Sequence, residues 1–200
     1  YSYEGKGYLF YDSEEGYYAT VYANQDLTVE LVGTNSLKQT ASASEGIRVC
    51  GKSFEEDLTI QGDGSLNVTG TFKGIAARGA VTVNGGTIIS TATDGGGYKS
   101  SGILSNRDCV IINGGNVTLD YLDVYNYKQT GGTVKAKEFH NCNGAHLSSC
   151  SFSVTGGSLT VDGVGNNLLV FYNDLREGQD ITADLTAMME GFGSVTDSTG

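Results

Sequence analysis

The segments VTVNGGTIIS, from Val81 to Ser90, and VIINGGNVTL, from Val110 to Leu119, share one shape: an apolar alternation, a polar residue, Gly-Gly, then a second alternation. A chain that repeats this shape is restricted to a structure that repeats as well. Four more segments fit the frame: LTVELVGTNSL from Leu27, LTIQGDGSLNV from Leu58, YKQTGGTVKAK from Tyr127 and FSVTGGSLTVD from Phe152. Successive starts are 31, 23, 29, 17 and 25 residues apart. Leucine-rich and ankyrin repeats hold a fixed period, whereas stacked β-coils hold their short strands and vary their loops.

Aligned, the segments give columns. Position one is Leu27, Leu58, Val81, Val110, Tyr127 and Phe152; position three is Val29, Ile60, Val83, Ile112, Gln129 and Val154. Thr28, Thr59 and Thr82 alternate with them, as a strand with one buried face requires. Position four is polar throughout (Glu30, Gln61, Asn84, Asn113, Thr130, Thr155), a column that can form a hydrogen-bonded ladder along a stack. The following Gly residues turn the chain, because glycine adopts positive φ without a steric penalty. A second alternation comes next, at Leu66/Val68, Ile88, Val117/Leu119, Val134/Ala136 and Leu159/Val161. A third short element carries Gly46-Ile47, Gly74-Ile75, Gly102-Ile103 and a weaker Gly144-Ala145. Three strands per coil predict an all-β fold, a single-stranded parallel β-helix (solenoid) of about six coils around a narrow apolar core.

Composition agrees. Among 200 residues there are 30 Gly and no Pro, and Thr, Val, Ile and Tyr are plentiful. Lys and Arg together number 12 against 23 Asp and Glu, for a net charge of −11. Phosphate contacts need cationic side chains, so the balance argues against a nucleic-acid partner. No apolar run approaches the roughly 18 residues of a transmembrane helix. The abrupt start at Tyr1 reads as a trimmed or mature chain, with any export signal or anchor outside it.

The whole chain, residues 1–200, reads as a single domain. Residues 1–26 are rich in Tyr and centre on Ser13-Glu14-Glu15-Gly16, the turn of a cap hairpin. Residues 27–163 hold the coils. Residues 164–200 read as a C-terminal cap and tail, with a short helix over Ala183–Glu190. Caps at both ends would cover core and strand edges that an end coil leaves open.

From Leu27 to Gly163 the grammar of the repeat, strongest at Leu58–Gly70 and Val81–Gly86, resembles the carbohydrate-binding β-helix proteins of Gram-positive bacterial surfaces. More distantly it is similar to the pectate-lyase superfamily. The resemblance implies a right-handed parallel β-helix, placement outside the cell or on its surface, and calcium-assisted binding of acidic or cellulosic plant polysaccharide without cleavage. Related chains often read Asp-Asp-Gly-Ile at the third element. Here Glu45, Lys73 and Ser101 precede the glycine, so the calcium-collecting carboxylates do not carry over to that place.

Site chemistry must come from what interrupts the repeat. DYLDVYNY, from Asp120 to Tyr127, belongs to a 17-residue coil without the Gly-Ile element. In an extended strand Leu122 and Val124 face one way, and Tyr121, Asp123 and Tyr125 the other. Rings beside carboxylates suit sugars: the ring covers a pyranose face and the acid accepts hydroxyl hydrogen bonds. Tyr121, Asp123 and Tyr125 are therefore the candidate carbohydrate-binding residues, the alternative being that the tyrosines pack beneath a loop. A calcium-dependent lyase would need clustered carboxylates and a basic residue. Asp94, Asp108, Asp120 and Asp123, with Arg78 and Arg107, are the available groups, but they do not fall at strand spacing. No catalytic residue is assigned. His140, Cys142, His146 and Cys150 have no recognised zinc spacing and read as stacked, mostly buried side chains, with a Cys142–Cys150 disulfide left open. Cys50 and Cys109 complete the four cysteines, which do not fix the compartment. The leading expectation is a non-catalytic extracellular polysaccharide-binding β-helix. The alternatives are a cell-surface adhesin or structural stalk, then a calcium-dependent polysaccharide lyase.

Overall fold

A computed structural model describes residues 1–12, 15–52, 55–93, 101–105, 108–124, 126–141, 151–161 and 169–171. These residues are all β, with no helix among them; the segment 183–190 lies outside the described residues. The strands are β1 (Ser2–Gly5), β2 (Tyr8–Asp12), β3 (Glu15–Ala23), β4 (Leu27–Leu31), β5 (Thr34–Gln39) and β6 (Ser44–Val49). They continue with β7 (Leu58–Gly62), β8 (Ser65–Gly70), β9 (Lys73–Ala77), β10 (Val81–Val83), β11 (Thr87–Ala92) and β12 (Ser101–Ser105). Last come β13 (Cys109–Ile112), β14 (Asn116–Val124), β15 (Asn126–Gln129), β16 (Thr133–Asn141), β17 (Ser151–Val154), β18 (Ser158–Val161) and β19 (Leu169–Phe171).

Except for the hairpin of β2 and β3, every pairing is parallel, and each strand pairs with its counterpart one repeat away. The first sheet runs β4-β7-β10-β13-β15-β17. Its register is the one the columns predict: Leu27 with Leu58, Leu58 with Val81, Val81 with Val110, Val110 with Tyr127 and Tyr127 with Phe152. A middle row runs β1-β5-β8-β11-β14-β16-β18, and a third runs β3-β6-β9-β12 before joining the later halves of β14 and β16.

The apolar columns become the core. Val81, Val83, Leu58, Ile60, Ile88 and Val110 are all 0% exposed. Fully burying one such side chain is worth about 1.5–3 kcal/mol, so in-register stacking drives the assembly. Toward the later strands aromatic rings take over: Tyr127 stacks on Phe152 at 5.4 Å, and Phe139 meets Tyr127 edge-on at 5.3 Å. Gln129, polar at a core position, is satisfied there. It accepts from the Tyr127 hydroxyl at 2.8 Å and donates to the Gly131, Gly132 and Ser158 carbonyls. Burial pushes the Tyr127 phenol well above its ordinary pKa.

Position four forms its ladder in part. Gln61 donates to Glu30 at 2.8 Å, Asn113 to Asn84 at 2.9 Å and Thr130 to Asn113 at 2.8 Å. The glycine that follows is required by space as well as by φ. At Gly115 (φ 83°) an added Cβ would lie 2.6 Å from the Gly86 carbonyl oxygen, against backbone that cannot yield.

The third element departs from the sequence reading. Its core column runs Ile47, Ile75, Ile103, Leu122 and Phe139, and Leu169 follows Phe139 in backbone register. DYLDVYNY thus does not break the repeat, since Leu122 takes the place of Ile103 within the unbroken strand β14. Phe139 on β16 fills the next position, while Gly144-Ala145 lies outside the described residues.

The hairpin forms as expected, with Asp12 opposite Glu15, so Glu15 and Gly16 belong to β3 and not to the turn. It adds a second packed layer. Ile47 and Val49 belong to the core, so Arg48 between them points to the other side of the sheet, yet it is only 3% exposed. There it pairs with Glu45 at 3.5 Å and lies 6.0 Å from the Phe10 ring centre. Rings continue the layer, Tyr8 on Tyr22, Tyr22 on Phe10, Phe10 on Tyr17 and Tyr17 on Phe72. Lys73 closes it over Phe72 at 4.4 Å.

Candidate functional site

Of the three expected sugar-contacting residues, Tyr121 is corrected by the structure: its ring is buried, 5% exposed. The reason is a bend in β14. Leu119 and Leu122 are three residues apart and both lie in the core, so one alternation cannot run through the segment. Tyr121 belongs to no exposed strip. Asp123 pairs through its backbone register with Leu104 and His140. Tyr125 lies outside the described residues.

The carboxylates suggested for lyase chemistry are not brought together. Asp120 works as a corner bracket, accepting the Ala92 N–H at 2.6 Å and the Tyr121 N–H at 2.8 Å. Burial raises its pKa above the ordinary value, and those two hydrogen bonds work against that shift. Asp108 is exposed and Arg78 is buried; Asp94 and Arg107 lie outside the described residues, as do Cys142, His146 and Cys150. The described residues contain no group of three His, Cys, Asp or Glu able to hold a metal. The third-element positions do not fit calcium. Glu45 is already paired with Arg48, and its register neighbour is Lys73, a cation where a metal would need another oxygen donor.

The Cys109 thiol is half-buried, and burial, followed by the nearby Asp108 charge, pushes its pKa from 9.0 up to about 11. Only the thiolate is nucleophilic, so Cys109 should alkylate about a hundredfold more slowly at pH 8 than a thiol of ordinary pKa. Peptide-resolved mass spectrometry after timed iodoacetamide treatment measures this. A rate matching the small-molecule thiol would contradict the buried placement.

The alternation that buries Leu66, Val68, Ile88, Val117 and Val134 turns every second side chain of the middle row outward. One outward column runs Thr34, Ser65, Thr87, Asn116, Thr133 and Ser158 in continuous register. Beside it run Ser36, Asn67, Ile89, Thr118, Lys135 and Thr160. All twelve are exposed or half-exposed, and ten carry a hydroxyl or an amide. A third column holds Lys38, Thr69 and Thr91, whose two threonine hydroxyls share a hydrogen bond at 3.2 Å. It ends at Asp120 and Lys137, which lie between the paired positions Leu119–Ala136 and Tyr121–Glu138.

Charge is distributed unevenly on this face. In a chain with 23 acidic residues, its strand positions hold two, and both are engaged. Glu4 is paired with Lys38 at 2.9 Å, and Asp120 holds backbone N–H groups. Lys135 and Lys137 are exposed on β16, separated by the core residue Ala136, and the Lys137 charge acts on the Asp120 carboxylate, opposing the rise in its pKa. The sequence reading missed them, although VKAK beside a core Val134 carries the signal: lysines alternating with core residues must face out.

No protein-family model, curated protein or solved structure matches the chain. No described helix is long and apolar enough to cross a membrane.

Proposed function

We propose that the chain is a right-handed parallel β-helix of about six coils that binds polysaccharide, outside the cell or on its surface, without cleaving it. The binding surface is the outward face of the middle row. One observation carries the reading: hydroxyl and amide side chains recur there in register from β5 to β18 on an open face. Parallel strands repeat at about 4.8 Å, so each coil offers the same polar groups one step further along. A linear polymer bearing hydroxyls at regular intervals can meet such a row many times, and weak contacts add through multivalency. Lys135 and Lys137 favour an acidic glycan at the β14–β16–β18 end: both are exposed, and the carboxylate beside them on this face, Asp120, is turned to backbone N–H groups.

The rival reading, a cell-surface adhesin or stalk, draws support from the unbroken core columns, which would make a stiff rod. Affinity electrophoresis separates the two. The native chain should be retarded in gels containing polygalacturonate, and less in gels containing an uncharged cellulose derivative. Equal mobility in both gels and in a gel without polysaccharide would favour the stalk.

A further inference from the structure

The row that contains the hairpin ends on β2, and among the described residues no strand pairs with the far edge of β2. An edge strand presents unpaired N–H and C=O groups, and proteins blunt such edges with charge, proline or a bulge. The other terminal strand of the same sheet, β1, is treated in that way: it carries Glu4, ion-paired with Lys38, and Lys6 follows it. β2 reads YLFYD, with no lysine and no proline. Tyr8 is 63% exposed, Leu9 39% and Tyr11 70%. Phe10 is the exception at 4%, locked between Tyr17 and Tyr22. β2 is therefore a fixed strand whose far edge is unpaired among the described residues and whose one charged residue stands at its end.

We propose that this edge pairs with the same edge of a second copy, giving a two-fold dimer through antiparallel β2 strands. The five-residue strand is self-complementary in the register centred on Phe10. Leu9 of each copy then faces Tyr11 of the other, and position 12 falls opposite Tyr8 in register. The one charged residue of the strand stands at its last position, so the register sets no like charges opposite each other. A two-fold axis requires this kind of matching, in which one patch serves both partners. Aromatic and aliphatic cross-strand pairs would add to the backbone hydrogen bonds of the new ladder.

Sedimentation equilibrium of the native chain over a wide concentration range tests this. The expected result is a monomer–dimer equilibrium whose dissociation constant rises at least tenfold in Tyr11→Lys and further in Leu9→Lys/Tyr11→Lys. Unchanged circular dichroism would show that the variants keep their fold. Tyr11 is well exposed, so the single variant tests the idea even if the double variant unfolds. A native chain that stays monomeric throughout would overturn the proposal. So would a dimer that persists undiminished in folded Tyr11→Lys, or a folded native chain that pairs with other proteins through this edge and never with itself.

Discussion

Val83→Asp is expected to destabilise the folded chain by about 3–5 kcal/mol, the usual result of leaving a charge buried and unpaired. Val83 is 0% exposed and lies in register between Ile60 and Ile112. The substitution puts a carboxylate where only hydrocarbon surrounds it, and no cation of the described core stands ready to pair with it. In a domain of this size about 2–4 °C of melting temperature is lost per kcal/mol, so the midpoint should fall by about 6–20 °C. The control is Thr82→Asp, one residue away on the same strand. Thr82 is half-exposed, and surface substitutions typically stay within about 0.5 kcal/mol. A register shifted by one residue would exchange the two effects. Equal melting of Val83→Asp and the native chain would remove the basis for every outward-facing residue named above.

The first two strands of each repeat were legible in the sequence because their geometry is uniform. Alternation at Leu58–Ile60, Val81–Val83 and Val110–Ile112 comes before a Gly turn, and a two-residue period fixes both the face and the register. The third strand was legible only where Gly46, Gly74 and Gly102 mark the corner. In β14 and β16 the corner is turned inside one nine-residue strand, and no glycine announces it. Leu122 therefore looked like an interruption although it continues the column of Ile47, Ile75 and Ile103.

The same bend explains the misplacement of Tyr121. Alternation was extended through Asp120 as though the strand were straight, and the three-residue step from Leu119 to Leu122 is a tertiary feature. Nor could the sequence show that the hairpin residues Phe10, Tyr17 and Tyr22 would stack in a layer shared with Arg48. That layer depends on which sheet the hairpin extends. The lysines of the middle row were within reach of the sequence argument. Their signal is the alternation of VKAK with the core residues Val134 and Ala136, and lysine is less characteristic of sugar sites than aromatic residues and carboxylates.

Replacing both lysines should have the largest effect on binding. Lys135→Glu/Lys137→Glu removes two exposed cations and sets two carboxylates in their place, taking the net charge from −11 to −15 at two units per substitution. An exposed ion pair is worth about 0.2–1 kcal/mol, and reversal adds repulsion of similar size at each position. With about 1.4 kcal/mol per factor of ten, polygalacturonate binding should weaken roughly tenfold to a hundredfold at low salt, and less as screening rises. Stability should fall only slightly, because both side chains lie in solvent and the one interaction lost is the Lys137 charge acting on Asp120. A charge-matched control, Lys52→Glu/Lys128→Glu, also reaches −15 but changes exposed lysines away from this face. The decisive measurement is the affinity of the native chain and both double variants for polygalacturonate, titrated side by side at two salt concentrations. A large loss is expected in the 135/137 variant and a small one in the control. Equal losses in the two variants, or no binding by the native chain, would contradict polysaccharide binding at the middle row.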